Sequence, residues 1–319
     1  MAYRTLLSPK SKPKKNDILL TKDGSLGRLA LVGDEQVCIN QSVAVIRPNE
    51  KVEPIFLKLL LESPRYQKRM IEDAGGSTIK HIYITIVNLM QIAVPPNRDE
   101  QRAIATALSD MDALLGALER LIAKKRNLKQ ASMQQLLTGQ TRLPGFDGGW
   151  EMKRLGDILT VRHGKSQHGV TAPDGKFPIL ASGGEIGRTN SFIYDKPSVL
   201  IGRKGTIDSP QYVDSPFWTV DTLFYTEISS EADAKFVFYK FVMIRWRSYN
   251  EASGVPSLNA KTIENIEIKT PHVTEQTAIA TVLSDMDAEL AALEQRLTKT
   301  RALKQGMMQE LLTGRTRLL

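Results

Sequence analysis

The sequence predicts an α+β protein: two diverged α/β domains, separated and followed by two long helices that form an antiparallel coiled coil. Three observations carry this expectation. The first is an internal repeat at an offset of 175 residues: Glu100 to Leu143 aligns without a gap to Glu275 to Leu318, with 30 identities in 44 positions. Agreement at that level marks duplication of one unit and has to be read before any local pattern. The second is the spacing of apolar residues inside each copy. The third is a change of texture between the copies, where Gly, Ser, Pro and β-forming residues dominate from Phe146 to Thr270. At 319 residues the chain exceeds one ordinary domain. The implied segments are 1–95 for the first domain, 96–143 for the first helix, 144–270 for the second domain and 271–319 for the second helix.

The helices come from periodicity. Ile104, Leu108, Met111, Leu115, Leu118 and Ile122 alternate four and three residues apart, and Ile279, Leu283, Met286, Leu290, Leu293 and Leu297 repeat the pattern. That is a heptad seam. No proline interrupts either stretch, and Gly116 and Gly306 are the internal glycines. Thr-Gly at 138–139 and 313–314 predicts the C-terminal stops. Lys124, Lys125, Arg126 and Lys129, like Lys299, Arg301 and Lys304, crowd the second half of each helix, which would suit the negative end of the dipole. A helix of about 40 residues is roughly 60 Å long, a strut rather than a packing element of a compact fold. A single stripe would ordinarily pack on its own domain. Two near-identical stripes in tandem predict pairing with pseudo-two-fold symmetry, Ile104–Ile122 running antiparallel to Ile279–Leu297.

In the second domain, Pro178-Ile179-Leu180, Ser198-Val199-Leu200-Ile201, Trp218-Thr219-Val220 and Leu223-Phe224-Tyr225 read as short strands. Turns at Pro173-Asp174-Gly175 and Ser182-Gly183-Gly184 break them. Lys235 to Tyr249 reads as an amphipathic helix. The first domain echoes this one. Asp17 to Leu26 resembles Ser198 to Ile207, a buried strand running into a charged tight turn. Ile55–Leu61 echoes Lys235–Phe241, and Gly75-Gly76-Ser77 echoes Ala252-Ser253-Gly254. Both domains are expected to end in a strand and a proline, Ile92-Ala93-Val94-Pro95 and Ile266-Glu267-Ile268 to Pro271.

Composition narrows the function classes. Hydrophobic residues make up 41% and charged residues 24%, as in folded globular proteins, which excludes global disorder. No apolar run has the length of a bilayer span, and Met1 to Lys15 holds Arg4, Lys10, Lys12, Lys14 and Lys15 without a signal-peptide apolar stretch. The single cysteine, Cys38, excludes an internal disulfide framework and a cysteine zinc site. These features place the chain in a reducing cytoplasm, away from membranes. The net charge of +8 points to a polyanion partner. No phosphate loop stands in the sequence: Gly202-Arg203-Lys204-Gly205-Thr206 has the residue types without the spacing. No Asn/Asp-Pro-Pro-Tyr/Phe methyltransferase signature occurs, and His163 and His168 have no carboxylate or cysteine at ligand spacing. No catalytic or metal residues are therefore assigned.

At this point a set of motifs resembles a known family. Trp150-Glu151-Met152-Lys153-Arg154-Leu155-Gly156-Asp157-Ile158 opens the second domain. Phe177-Pro178-Ile179 precedes Ser182-Gly183-Gly184, and Val199-Leu200-Ile201 leads into Gly202-Arg203-Lys204-Gly205-Thr206-Ile207. Pro-x-x-x-Glu-Gln, at Pro96–Gln101 and Pro271–Gln276, precedes Ile-Ala-x-x-Leu. Over nearly its whole length the chain resembles the specificity (S) subunit of type I restriction–modification systems. The resemblance implies two target recognition domains, each reading half of a bipartite site in double-stranded DNA, and a coiled coil that fixes the spacing. It implies docking of modification (methyltransferase) subunits, joined by restriction (translocase/nuclease) subunits. It implies a non-catalytic chain that binds no cofactor itself, S-adenosylmethionine, ATP and magnesium belonging to the partners. The alternative from the residues alone is a coiled-coil adaptor whose β-rich domains bind protein.

The residues expected to face DNA lie on loops. Arg203 and Lys204, with Thr206, occupy a turn at a strand end; arginine can pair bidentately with guanine and lysine can meet phosphate. The bland reading is a solvated turn. His163, Lys165, Ser166 and Gln167 form a second candidate loop, against a plain polar loop. Ser253, Ser257, Asn259 and Lys261 form a third cluster. Lys22, Ser25 and Arg28 are the first domain's counterpart, and Lys10 to Lys15 read as a charged tail. From Trp150 to Ser198 the second domain runs 48 residues before its charged turn, whereas Asp17 follows only 16 residues. The first domain is thus expected to be shortened at its N-terminus, less stable and a poor reader, with pairing to another copy or a half-subunit restoring a bipartite site.

Overall fold

The computed structural model describes residues 12–72, 74–75 and 80–318. Lys10 of the basic tail and Gly76-Ser77 of the loop echo lie outside them. The chain forms two compact units, Met1–Leu121 with Leu293–Leu319, and Ile122–Ala292. The units cut through both long helices instead of following the sequence segments, because antiparallel pairing places each helix start beside the other's end.

In the first unit β1 (Ile18–Thr21) lies between β2 (Leu29–Leu31) and β3 (Val43–Ile46), all antiparallel. Ile18 and Leu20 point into the core and are fully buried. Asp17, buried just ahead of the strand, accepts two hydrogen bonds from Arg47, at 2.7 and 2.6 Å. Burial alone would raise its pKa; the Arg47 contact and the Lys14 backbone N–H outweigh it and hold the carboxyl below the usual range. Helix α1 (Pro54–Glu62) starts on a proline and buries Phe56, Leu57, Leu59, Leu60 and Leu61. Pro64 forces Ser63 into extended geometry and opens α2 (Pro64–Glu72), which buries Tyr66 and Met70. Helix α3 (Ile84–Leu89) follows. The expected strand at Ile92–Val94 is not formed: this stretch pairs with no strand among the described residues. The core joins Ile18, Leu20, Phe56, Leu60 and Met70 to Ile104 and Leu108 of α4 (Arg98–Thr138) and to Leu311 and Leu312 at the end of α8 (Val273–Leu311).

The second unit opens on β4 (Glu151–Arg154) and a one-turn helix α5 (Leu155–Ile158), followed by β5 (Leu159–His163), β6 (Phe177–Ala181) and β7 (Gly184–Thr189). Then come β8 (Ser198–Gly202), β9 (Gln211–Val213), β10 (Trp218–Thr219) and β11 (Leu223–Ile228). The main sheet has the order β5-β11-β8-β9, entirely antiparallel. Every residue of β8 is buried, as its unbroken apolar run requires of a central strand. A second sheet, β10-β6-β7, contains the parallel pair β10–β6. The helix expected over Lys235–Tyr249 is two pieces. Helix α6 (Ala234–Met243) ends at Ile244, and a 3₁₀ turn, Trp246–Tyr249, follows. The break lets Trp246 sink fully into the core, its indole N–H donating to Phe241 O at 2.8 Å. Helix α7 (Ala260–Glu264) leads to β12 (Glu267–Thr270), which pairs with β4.

The two long helices are joined by a repeated set of contacts. In the first unit Glu119 pairs with Arg301, Asp112 with Lys304 and Glu100 with Arg317. In the second, Lys125 pairs with Glu289 at 2.7 Å, Lys129 with Asp287, and Arg142 with Glu275. Numbers rise on one helix as they fall on the other, so the pair is antiparallel in each unit, an antiparallel coiled coil as the heptads predict. All twelve seam positions, Ile104, Leu108, Met111, Leu115, Leu118, Ile122, Ile279, Leu283, Met286, Leu290, Leu293 and Leu297, are buried or half-buried. Their expected mutual register is corrected. Ile104 and Leu108 pack with Leu311 and Leu312, and Ile279 and Leu283 with Met133, Leu136 and Leu137. The antiparallel direction stands, but the start of each seam packs beyond the expected partner stripe, on the last turns of the other helix. The dipole reading of the basic residues is corrected too. Neither last turn holds a basic residue, and Lys129, Arg301 and Lys304 instead face carboxylates of the other helix. Gly139 and Gly314 end the helices at φ +74° each, the left-handed stop that Thr-Gly predicts.

Candidate nucleic-acid interface

The three polar segments singled out in the second domain converge. Strand β8 ends at Gly202, whose backbone passes so close to Thr206 O that a Cβ there would lie 2.0 Å from it. The turn that follows is pinned on both sides. Arg203 N–H donates to Thr222 O at 2.8 Å, Gly205 N–H donates to Pro256 O at 2.8 Å, and Arg203 O accepts from Leu258 N–H at 2.9 Å. Lys204 and Ser257 form a β-bridge. The Asn250 side chain holds the approaching loop, its Oδ1 accepting from Ala252 and Ser257 N–H at 3.1 and 2.9 Å. The result is a pocket of about 230 Å³ whose lining includes His163, Arg203, Lys204, Phe224, Glu251, Ser257 and Asn259.

Within it the groups differ in freedom. Arg203 is half-buried and its guanidinium donates to Asp221 O at 3.2 Å, which aims it, while Lys204 is exposed. His163 is the last residue of β5 rather than a loop residue, and its ring meets the Phe224 ring edge-on at 4.9 Å. Asn259 caps α7, its Oδ1 accepting from Lys261 N–H at 2.9 Å. Lys165, Ser166, Gln167, Thr206, Ser253 and Lys261 fall outside the pocket lining. Lys165 anchors its loop through backbone contacts, N–H to Thr219 O at 2.9 Å and O to the Trp218 indole at 3.0 Å. Glu251, bonded to Thr262, was not singled out in the sequence; only its place one residue before the Ala252 loop hints at it.

The first unit repeats the device. Strand β1 runs into the turn Lys22–Arg28, where Gly27 N–H donates to Thr21 O at 2.9 Å and Arg28 N–H to Thr21 Oγ1 at 3.0 Å. Lys22 O accepts from Ile82 N–H at 3.0 Å as Arg203 O accepts from Leu258. Gly75 and His81 exchange backbone hydrogen bonds where Glu251 N–H donates to Ser257 O. Ser25 and Arg28 are exposed, and Lys22 is half-buried. His81, unmarked in the sequence, binds Asp23; that hydrogen bond holds the Asp23 carboxyl below its ordinary range.

The family described as type I restriction modification DNA specificity domain matches residues 7–129 and 147–301, one match per repeat. The chain is 23% identical to the type I restriction enzyme MjaVIII specificity subunit of Methanocaldococcus jannaschii, covering 95% of this chain and 80% of that one. It is 24% identical to the putative type I restriction enzyme MjaX specificity subunit of the same organism, covering 87% and 72%. In fold it is similar to the crystal structure of the type I restriction–modification system S subunit from M. genitalium, with TM-score 0.69, 22% identity, and coverage of 95% and 84%.

Proposed function

We propose that this chain, which belongs to the type I restriction modification DNA specificity family, reads DNA at its two strand-end turns, each serving one half of a bipartite site. Sequence recognition within a restriction–modification assembly is that family's role, and its specificity subunit is the non-catalytic component. The observation that carries the reading is the convergence of Arg203, Lys204, Ser257 and Asn259, drawn from remote segments, on one backbone-pinned pocket. Arg203 has the fork geometry for guanine, Lys204 the exposure for phosphate, and Glu251 the acceptor that suits a cytosine amine. The turn Lys22–Arg28 serves the other half-site. The coiled coil sets the spacing between halves and docks modification (methyltransferase) subunits, which restriction subunits join. S-adenosylmethionine, ATP and magnesium belong to those partners. Among the described residues no helix is long and apolar enough to cross a membrane.

The test is selection from a randomised duplex pool followed by a salt titration. The expected result is enrichment of the half-site read by the second domain, with the half-site of the Lys22–Arg28 turn enriched weakly unless a second copy or half-subunit is added, and an affinity that falls steeply with salt. No duplex binding at low salt would favour the adaptor reading instead.

A further inference from the structure

The strand-end turns of the two units carry opposite charge at one matched position, and backbone contacts fix the match. Lys22 N–H donates to Ser42 O at 2.9 Å and Lys22 O accepts from Ile82 N–H at 3.0 Å. Arg203 N–H likewise donates to Thr222 O at 2.8 Å, and Arg203 O accepts from Leu258 N–H at 2.9 Å. Two residues on, each turn has a left-handed glycine, Gly24 at φ +69° and Gly205 at φ +84°. Asp23 therefore stands where Lys204 stands. His81, just before Ile82, stands where Ser257 precedes Leu258. In the second unit this pair is a backbone bridge that leaves Lys204 exposed. In the first it is a side-chain contact, His81 Nδ1 with Asp23 Oδ1.

The contact aims the carboxylate. The His81 ring meets Tyr83 edge-on at 5.1 Å, and Tyr83 lies so close over Gly75 that a Cβ there would come within 2.5 Å of its ring. Gly75 and His81 exchange backbone hydrogen bonds at 3.1 and 2.8 Å. Those bonds, with the ones to Lys22, already close the loop, so the Asp23–His81 pair is not needed as its staple. His81 holds the Asp23 carboxyl below its ordinary range, so the group is ionised and can only accept, with Nδ1 as the donor. A carboxylate has about four acceptor positions, and His81 takes one. The Asp23 side chain keeps 31% of its surface open. Phosphates repel such a group. What a duplex offers it in the major groove is the exocyclic amine of cytosine or adenine.

We propose that Asp23 is a specificity residue of the first half-site, accepting from a base amine in the major groove, with His81 as its positioning residue. Arg203 and Lys204 present donors at the matched place, which suit the acceptors of guanine. The two half-sites are thus read with opposite hydrogen-bond polarity. This rests on the reading of DNA at the strand-end turns proposed above.

The test uses the full chain and a duplex pool in which the half-site selected by the second domain is constant and the flanking positions are randomised. The constant half-site raises the effective concentration of the weaker reader. One randomised position should be enriched in an amine-bearing base, and cytosine or adenine there identifies which. Asp23→Asn keeps the shape but adds a donor, and should cut that enrichment about fivefold or more. His81→Ala should do the same, and His81→Asn, whose amide nitrogen can replace Nδ1, should restore it. Asp23→Lys should move the preference to guanine, a gain that a folding defect cannot produce. An unchanged preference in Asp23→Asn, no shift toward guanine in Asp23→Lys, or no amine-bearing base enriched by the unaltered chain would overturn the inference while the constant half-site stays bound. Failure of His81→Asn to restore the preference would overturn the positioning role. Failure of the unaltered chain to bind the constant half-site would instead refute reading at both turns.

Discussion

Gln101 and Gln276, the last residues of the two Pro-x-x-x-Glu-Gln motifs, carry a stability prediction that the structure makes quantitative. Each is almost fully buried. Gln101 accepts from Glu53 N–H at 2.7 Å and donates to Lys51 O at 3.0 Å and Pro95 O at 2.7 Å. Gln276 accepts from Asp233 N–H at 3.0 Å and donates to Pro271 O at 2.9 Å and Glu231 O at 3.3 Å. Glu53 and Asp233 are the N-cap residues of α1 and α6, so one amide ties the start of a long helix to the start of a domain helix. Replacing Gln101 by Ala removes three hydrogen bonds at about 1 kcal/mol net each and leaves their backbone partners unpaired, a loss of about 3–5 kcal/mol. Because the chain has two units, the assay is site-resolved hydrogen exchange rather than one melting curve. Gln101→Ala should lower protection in α1 and the first sheet while leaving α6 unchanged, and Gln276→Ala should do the reverse. A loss below about 1 kcal/mol, or an equal loss in both units for either variant, would refute the reasoning.

Four further outcomes are expected. Arg203→Ala should weaken the cognate half-site by roughly 1–3 kcal/mol and relax preference at one base pair, whereas Lys204→Ala should weaken all sequences alike and flatten the salt slope by about one; quantitative footprinting separates them. Leu118→Asp places a charge in the buried seam and should cost about 3–5 kcal/mol in chemical denaturation. Burial, with Lys269 adding to it, pushes the Lys240 ammonium down to about 8. The unfolded chain then holds the extra proton up to about 10.4, so stability should rise with pH across that window. Thermal melts of Lys240→Leu should lack that rise, and an identical pH profile in both proteins would contradict it. Asp112→Lys and Lys304→Asp should each cost at most about 1 kcal/mol at this half-exposed pair, with the double exchange recovering most of the loss in a double-mutant cycle.

The sequence made the helices legible because their signal is redundant: a heptad stripe, an uninterrupted run and a Thr-Gly stop, all given twice. The buried strand β8 was legible for a similar reason, since Val199, Leu200 and Ile201 form an unbroken apolar run inside five consecutive buried residues. The register of the coiled coil was not, because identical stripes fit each other in more than one sliding position. What selects the observed register lies in polar residues that a hydrophobic pattern ignores, Glu100 with Arg317 and Glu275 with Arg142. The Ile92–Val94 strand failed on a different ground. A strand needs a neighbour, and its apolar residues reveal nothing about whether a neighbour exists. At the candidate site, Arg203 and Lys204 stood out by charge and turn chemistry. Glu251 and His81 did not, because backbone pairing across distant loops, rather than local pattern, brings them there.

The distribution of identity along the repeat acquires a physical reason from these contacts. Lys129 and Lys304 are repeat mates, as are Asp287 and Asp112, and the two pairs they form are one contact made twice in opposite directions. The same holds for Arg142 with Glu275 and Arg317 with Glu100, and for the two stapling glutamines. A residue that bonds to the other long helix cannot drift alone, since a change in it leaves that helix's partner unpaired. Turn residues such as Lys22 and Arg203, or Leu60 and Lys240, face no such mate and are free to differ. Near-identity of the struts beside divergence of the domains is thus what reciprocal contacts impose on a duplicated chain, and the divergent positions are where each copy carries chemistry of its own.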